Sequence, residues 1–308
     1  MTAPGLENPS GVAAASDASA YYVAGRGSDR VYVFDATGAF LFSFTGGGLT
    51  APTGLDLTSD DGVLYVCSSA TDDVKVFSGT GAFVSAFGSG QLDDPRDLAV
   101  TSDDAVVYVA SRGTGDIRVF KTTGEFLFPI TRPGGNLDPV GVVLTSNDAV
   151  LYVANAALGT IERFSADGAY LGSAGVPVAG ARDVALTSDD GLVYVARMTP
   201  PGVDVLDAPG DSLLLGIPGG QVSAETHLTL ALDDALFAVT NYRCHLPDFD
   251  CDGDVDLTDF VSFQLCYGGS NNPPAPSCPE CVDANLDGDG DVDLADFLIF
   301  QQNFTGSR

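Results

Sequence analysis

Residues 52–68 read PTGLDLTSDDGVLYVCS, two short apolar stretches joined by a polar turn. Short runs rich in Val, Leu and Tyr, separated by Asp, Ser and Gly, are typical of neighbouring β-strands. The tyrosine-bearing stretch recurs every 42 to 44 residues as YYVAG, LYVCS, VYVAS, LYVAN, VYVAR and LFAVT, centred on Tyr22, Tyr65, Tyr108, Tyr152, Tyr194 and Phe237. The chain is therefore expected to be built from repeated β units.

Each complete repeat contains four strand-like segments. A third strand (VYVFD, VKVFS, IRVFK, IERFS, VDVLD) follows the tyrosine strand, and a fourth begins after a glycine. That glycine lies sixteen residues after the tyrosine in five repeats, at Gly38, Gly81, Gly124, Gly168 and Gly210, and the length variation falls between repeats. Hydrogen-bonded hairpins tolerate little change in length, whereas the loops that connect repeats tolerate insertions and deletions. A period near ~40 residues with four short strands indicates a β-propeller blade.

The repeats resemble the NHL and YVTN β-propeller families, through GAFLFSF-like and TSDDGVLYVC-like elements respectively. The resemblance covers residues 6–241, with repeats near 6–49, 50–92, 93–136, 137–178, 179–221 and 222–241. It implies an all-β, six-bladed propeller. The sixth repeat has only its first two strands in this chain, so we expect residues upstream to complete that blade by strand exchange between the termini. The alternative is an incomplete blade with an exposed edge.

Two acidic segments follow, DFDCDGDVDLTDF at 248–260 and NLDGDGDVDLADF at 285–297. EF-hand loops place oxygen ligands at positions 1, 3, 5, 7, 9 and 12, with glycine at position 6. Gly253 and Gly290 occupy that glycine position. The spacing predicts two calcium ions, held by Asp248, Asp250, Asp252, Asp254, Asp256 and Asp259, and by Asn285, Asp287, Asp289, Asp291, Asp293 and Asp296. The alternative is a solvated, disordered acidic tail.

One predicted helix follows each loop, and the pair repeats at an offset of 37 residues. Residues 246–306 resemble a type I dockerin, especially the cysteine-bearing dockerin-like tails of large secreted planctomycete proteins. The resemblance implies a small all-α, EF-hand-like dockerin module over 244–308. It also implies anchoring or assembly through a cohesin-like or cell-surface protein. Loop positions 10 and 11, often a Ser/Thr pair in cellulosomal dockerins, hold Leu257-Thr258 and Leu294-Ala295, so cohesin contact is expected to be altered.

The formal net charge of −29 argues against nucleic acid or an anionic membrane as a partner. No apolar run approaches the roughly 20 residues that span a bilayer. Five of the six cysteines lie in the last 65 residues, which predicts disulfides and an oxidising compartment. Cys266 paired with Cys278 or Cys281 would cross-link the proline-rich linker SNNPPAPSCPEC (270–281) between the two acidic repeats. We therefore expect a secreted or cell-surface protein whose signal peptide lies upstream of this chain.

The propeller offers few candidates for catalysis. Of two histidines, His227 lies on the first strand of the sixth repeat, where a lone histidine is more often structural, and His245 lies at the junction. Five arginines are expected on one propeller face, where they could bind an anionic glycan or small ligand: Arg26, Arg96, Arg112, Arg182 and Arg197. The alternative is local pairing with aspartates such as Asp97 and Asp183.

Three functions remain open from the sequence. The first is an exported binding or scaffold protein carried on a calcium-dependent dockerin-like tail. The second is a hydrolase or lyase, lactonase-like and acting on polysaccharide-type substrates, tethered by the same tail. The third is a purely structural surface protein. The missing acid/base set favours the first and argues against an enzyme.

Overall fold

A computed structural model describes residues 3–135, 137–174, 178, 180–198, 201–208, 212–218, 226–230, 236–240, 257–267 and 292–303. The chain divides into two compact units. Unit 1 comprises Met1–Pro218 and Ala224–Asn241, and unit 2 comprises Gly219–Ser223 and Tyr242–Arg308.

Unit 1 contains five sheets of four antiparallel strands, each a meander in chain order. We number these blades 1 to 5, so that the first strand of each is its inner strand. The strands are β1 (Pro9–Ala14), β2 (Ala20–Gly25), β3 (Arg30–Asp35), β4 (Phe40–Phe44), β5 (Pro52–Leu57), β6 (Val63–Ser68), β7 (Asp73–Ser78), β8 (Phe83–Phe87), β9 (Pro95–Val100), β10 (Val106–Ser111), β11 (Asp116–Lys121), β12 (Phe126–Ile130), β13 (Pro139–Leu144), β14 (Val150–Asn155), β15 (Thr160–Ser165), β16 (Tyr170–Ser173), β17 (Ala181–Leu186), β18 (Leu192–Met198), β19 (Pro201–Asp207) and β20 (Leu213–Pro218).

The expected fold class, a six-bladed propeller with an EF-hand-like module, is wrong. The described residues form five four-stranded blades and a separate two-stranded sheet of β21 (Thr226–Leu230) and β22 (Leu236–Thr240). Strand β21 packs beside both β1 and β17. The sixth repeat supplies two strands and then runs into the acidic tail, so the repeat count overstated the number of blades. The described part of the tail shows two helices and no EF-hand module.

The apolar core of unit 1 lies between neighbouring blades. One buried cluster joins Tyr22 and Val33 of blade 1 to Leu55, Leu64 and Phe77 of blade 2. Similar clusters join blades 2 and 3, blades 3 and 4, and blades 4 and 5. Because each blade buries its apolar side chains against its neighbours, the repeated apolar strands of the sequence require side-by-side packing.

The outermost strand of every blade carries a β-bulge at the same place. In blade 1, Val33 pairs with Phe42 and Phe34 with Phe40, so Leu41 is the extra residue. The equivalent extra residues of the other blades are Val84, Leu127, Leu171 and Leu214. A bulge disrupts the regular ladder of an edge strand and discourages pairing with another chain.

Unit 2 contains α1 (Leu257–Cys266) and α2 (Leu294–Asn303) among its described residues. A small buried cluster of Phe263, Cys266, Val292 and Phe300 joins them, with the rings of Phe263 and Phe300 centred 5.5 Å apart. Within the described residues, neither helix is long and apolar enough to cross a membrane.

Candidate functional site

The repeated TSDD turn links inner and second strands, and its first aspartate closes the turn locally. In blade 2, the hydroxyl of Thr58 and the N–H of Gly62 donate to Oδ1 of Asp60, at 2.8 and 2.9 Å. These hydrogen bonds hold the pKa of Asp60 below its usual value. This part of the motif has the turn role that its composition predicts.

The second aspartate of the turn instead binds the preceding blade. In blade 3, Asp104 accepts the backbone N–H of Ser59 at 2.7 Å and its hydroxyl at 2.8 Å. We call this two-bond contact the Ser–Asp clasp. The same clasp joins Ser16 to Asp61, Ser102 to Asp148 and Ser146 to Asp190. Sequence reasoning missed this role, although the constant spacing of the serine and the second aspartate was visible.

The repeated tyrosines also reach into the next blade. The hydroxyl of Tyr22 donates to the carbonyl oxygen of Gly79 at 2.9 Å, and that of Tyr108 to Ala166 at 3.0 Å. Tyr65 makes a longer contact of 3.5 Å with Thr122. The acceptors lie in the turn between the third and fourth strands of the following blade. Burial raises the pKa of all three hydroxyls, which therefore stay protonated as donors.

A cavity of about 370 Å³ lies along the inner strands of the five blades. Four aspartates, Asp56, Asp97, Asp148 and Asp183, are among its lining residues, and no Lys, Arg or His is among the lining residues that the structure describes. The carboxylates give the cavity a negative potential, which suits a cationic or hydroxyl-rich ligand better than an anion. His227 stands in β21 at the register position of Asp183, but its side chain lies outside the described part of the chain.

Glycines allow the inner strands to approach closely at this cavity. A Cβ on Gly54 would lie 2.1 Å from Oδ1 of Asp97, and one on Gly141 would lie 2.5 Å from Oδ1 of Asp183. Asp97 in turn accepts the N–H of Val142 in blade 4 at 2.8 Å. Gly54 and Gly141 thus leave room for an aspartate of the next inner strand. The hydrogen bond from Val142 to Asp97 then joins the inner strands of blades 3 and 4.

Asp56 is the most perturbed carboxylate of the cavity. Burial raises its pKa to about 6, although the N–H groups of Val100 and Leu57 both donate to it at 2.9 Å. Charge repulsion from Asp104 also raises the pKa of Asp56, by a smaller amount. Asp56 therefore changes its charge in mildly acidic solution, at a position that connects blades 2 and 3.

The five predicted ligand-binding arginines lie on blades 1, 3 and 5. Arg26 and Arg112 donate their backbone N–H groups to Asn8 and Asp94, which places them at the end of the propeller where the inner strands begin. Arg96 and Arg182 belong to two of those inner strands, and Arg197 is the penultimate residue of the second strand of blade 5. The structure therefore brings all five to one end, spread over three blades.

Local contacts hold most of these arginines. Arg96 pairs with Asp94 at 2.7 Å, Arg112 with Asp138 at 2.7 Å, and Arg197 with Asp204 at 2.9 Å. Arg182 donates to the sulfur of Met198 at 3.3 Å. The local pairing considered from sequence is thus present for Arg96, Arg112 and Arg197. Ligand binding by these arginines stays a prediction.

Most predicted calcium ligands lie outside the described residues: Asp248, Asp250, Asp252, Asp254, Asp256, Asn285, Asp287, Asp289 and Asp291. Asp259 belongs to α1, but its side chain is not described. Asp293 and Asp296 are described, and they cap α2. Oδ1 of Asp293 accepts the N–H of Ala295, and Oδ2 of Asp296 accepts the N–H of Asp293, both at 2.7 Å. Asp296 is fully buried.

The described residues hold no group of three or more His, Cys, Asp and Glu side chains placed to bind a metal. The calcium prediction rests on the acidic segments and stays untested. Cys67 is fully buried, and burial raises the pKa of its thiol well above the usual value, so it acts as a core residue. Cys266 is buried in unit 2, whereas Cys278 and Cys281 lie outside the described residues, so their pairing stays a prediction.

Many solved structures resemble this chain, and two of them illustrate the likeness. One is described as Kuenenia stuttgartiensis hydrazine synthase, with a TM-score of 0.61, 17% identity, and coverage of 77% of this chain and 75% of that one. The chain contains a β-propeller. The other is a nidogen/laminin complex, with a TM-score of 0.61, 14% identity, and coverage of 69% of this chain and 81% of that one. At these identities the likeness shows the propeller fold alone. No protein-family model and no curated protein sequence matches the chain.

Proposed function

We propose that this protein is an exported binding or scaffold protein. Its propeller, of NHL/YVTN type, recognises a ligand or partner, and its acidic tail binds calcium and serves dockerin-like anchoring or assembly. The observation that carries the recognition role is the cavity of about 370 Å³ along the inner strands, framed by interblade hydrogen bonds. Binding sites are typically preformed concave surfaces with a few placed polar groups.

The carboxylates of the cavity favour recognition over catalysis. Asp56 and Asp97 accept hydrogen bonds from backbone N–H groups of neighbouring blades, and Asp148 accepts one from the hydroxyl of Ser102. A general acid or base must reach the proton that it transfers. Side chains already committed to the framework are poorly placed for that role, which weakens the lactonase-like hydrolase or lyase alternative.

A purely structural surface protein is the second candidate. The observation that favours it is the pairing of Arg96, Arg112 and Arg197 with nearby aspartates, because a guanidinium already bound to a carboxylate is less available for a ligand. Under this alternative the propeller is a stable spacer with no small ligand.

The described helices of the tail support a docking role for unit 2. Val261, Leu294 and Leu298 expose 55%, 60% and 51% of their surface, and Tyr267 is also exposed. Tyr267 and Leu294 line one apolar pocket with Phe260, Phe263 and Phe297, and an exposed apolar patch of this kind is typical of a protein interface. A cohesin-like or cell-surface protein is the partner that the resemblance suggests.

Calcium binding is tested by titration calorimetry on the full chain made under oxidising conditions. We expect two ions for the unaltered protein. Asp252→Asn and Asp289→Asn are expected to weaken one site each. The matched control is Asp60→Asn with Asp103→Asn, which removes the same charge from exposed propeller turns and should leave binding unchanged. Absence of binding, or equal loss in the control, would refute the calcium-dependent tail.

Propeller recognition is tested with an array of neutral, cationic and acidic glycans probed with the full chain. We expect binding of neutral or cationic glycans that weakens in Asp97→Asn, whose folding is checked by thermal unfolding. If the protein instead binds acidic glycans, and only Arg112→Gln loses that binding, the ligand site lies on the arginine face. No binding to any class would support the structural alternative.

A further inference from the structure

The outermost strands of the five blades contain no charged residue. Strands β4, β8, β12, β16 and β20 read FLFSF, FVSAF, FLFPI, YLGS and LLLGIP, and each lies at the edge of its sheet. The chain as a whole carries 42 Asp and Glu and 13 Lys and Arg. Edge strands exposed to water are commonly protected by charged side chains, especially lysine. The surface formed by these five strands, which we call the rim, has bulges but lacks that protection.

Exposed apolar side chains of the rim are concentrated on blades 1 and 2. Phe40, Leu41 and Phe42 of β4 expose 37%, 52% and 39% of their surface. Phe83 and Val84 of β8 expose 43% and 61%. Single exposed apolar side chains are normal, whereas a group of them on neighbouring strands marks an interaction surface. We call these five residues the rim patch.

Packed aromatic rings connect the two strands of the rim patch. The ring centroids of Phe42 and Phe44 lie 6.3 Å apart, and those of Phe44 and Phe77 lie 5.1 Å apart. Phe77 continues the series to Phe83 at 5.8 Å. A Cβ on Gly47 would overlap the ring of Phe83, so this ring packs against the loop that follows β4. The rim patch is therefore one continuous surface across two blades.

The size and the charge of the rim patch indicate what covers it. At about 200 Å² for a large side chain, the five residues leave roughly 450 Å² of apolar surface exposed. Each partner in a standard interface contributes about 800 Å², so the patch supplies about half of one side. Two copies of a chain with a net charge of −29 repel each other. They can therefore approach closely only through a surface without carboxylates, and the rim patch is such a surface.

We propose that this protein forms a homodimer in which the rim patch of one copy packs against the rim patch of a second copy. A twofold axis brings the same surface of both copies together, and an apolar patch suits itself in this way. Side chains make the contact, because the bulges at Leu41 and Val84 interrupt the edge ladders that could otherwise pair directly.

The dimer would leave both central cavities available. Inner strands line the cavity, whereas outer strands form the rim. Two cavities in one particle would raise the apparent affinity for a ligand with repeated units, such as a polysaccharide. This consequence rests on the proposed recognition role, but the dimer itself does not.

The test is sedimentation velocity of the full chain in a calcium chelator, which prevents calcium-dependent association through the tail. We expect a dimer whose fraction rises with protein concentration and with salt, since salt screens the repulsion between acidic copies. A monomer at submillimolar concentration and high salt would overturn the proposal. A dimer that dissociates in salt would also overturn it, because charges would then make the contact. No ligand is added, so failure here leaves the recognition role standing.

Three variants with the same change of charge locate the contact. Leu41→Asp is expected to raise the dimer Kd roughly tenfold or more, because its carboxylate would lose water in an apolar contact. Leu158→Asp, in an exposed turn of blade 4, and Leu214→Asp, at the bulge of blade 5, should leave the Kd unchanged. Circular dichroism checks that all three fold. A dimer unaffected by Leu41→Asp, or weakened equally by either control, would refute the rim patch as the interface.

Discussion

Ser59 of blade 2 donates both its backbone N–H and its hydroxyl to the carboxylate of Asp104 in blade 3, at 2.7 and 2.8 Å. Asp104 adopts a φ of 57° to present its carboxylate in this way. A non-glycine residue in the left-handed region costs free energy, which the two hydrogen bonds offset. The turn is therefore shaped as much by the neighbouring blade as by its own strands.

Asp104→Gly is expected to lower the free energy of unfolding by about 1 to 3 kcal/mol, because glycine keeps the positive φ and removes only the clasp. Urea unfolding measures the change. The control is Ala18→Gly, at the equivalent turn position without a clasp, which should raise stability by up to about 1 kcal/mol through relief of the positive φ. Equal effects at the two positions would mean that the clasp contributes nothing.

Gly54→Ala is expected to destabilise unit 1 by several kcal/mol, on the order of 3, because its Cβ would lie 2.1 Å from Oδ1 and 2.5 Å from the Cα of Asp97. The backbone of the adjacent inner strand would have to move. Gly48→Ala is the control, since its Cβ would meet no atom within 4 Å and only its φ of 74° is unfavourable. Thermal unfolding of both variants separates steric overlap from backbone strain.

The strand pattern of the five blades could be predicted because the information is local. The apolar run around Tyr65 and the constant distance to Gly81 specify hairpins within one repeat. Whether the sixth repeat forms a full blade could not be predicted in this way, because the sequence around Phe237 predicts a second strand whether or not a third and fourth strand follow. Repeat counting therefore gave six blades where the described residues form five and a two-stranded sheet.

The contacts between blades were the part that sequence reasoning missed. Asp60 and Asp61 are adjacent and look equivalent, yet Asp60 closes its own turn and Asp61 binds Ser16 of the preceding blade. The distinction depends on which repeats become neighbours and how closely their turns approach. Likewise, Arg112 pairs with Asp138 across an interface, a partner that its own repeat does not contain.

Stability is expected to depend on pH through Asp56. Its pKa in the folded protein is about 6, above the unfolded value of 3.8. Between these two values the folded protein binds a proton on Asp56 that the unfolded chain does not bind, so the folded state is favoured as the pH falls. This group therefore stabilises the fold below about pH 4, and that contribution is lost as the pH rises through 6. A shift of this size corresponds to roughly 2 to 3 kcal/mol. Exposed turn carboxylates such as Asp60 and Asp103 have lowered pKa values and act in the opposite direction, below about pH 4.

Urea unfolding between about pH 4.5 and 7.5 measures the Asp56 contribution. Asp56→Asn should remove the pH dependence in this window, whatever its own constant effect on stability. An unaltered slope in Asp56→Asn would assign the dependence to another group. A folded-state carboxyl titration near the ordinary aspartate value would contradict the burial of Asp56.

Asp293 is expected to serve both as a helix cap and as a calcium ligand, and two substitutions separate these roles. Asp293→Ala removes the oxygen that accepts the N–H of Ala295, so it should destabilise α2 by about 1 kcal/mol in a chelator. Asp293→Ser keeps a capping oxygen and should leave the helix intact, because serine is a good N-cap residue. Serine lacks the carboxylate charge, however, and calcium affinity is expected to fall several-fold. Circular dichroism in chelator and calorimetry with calcium measure the two effects on the full chain. If Asp293→Ser binds calcium as tightly as the unaltered protein, Asp293 is a helix cap alone and must be removed from the predicted ligand set.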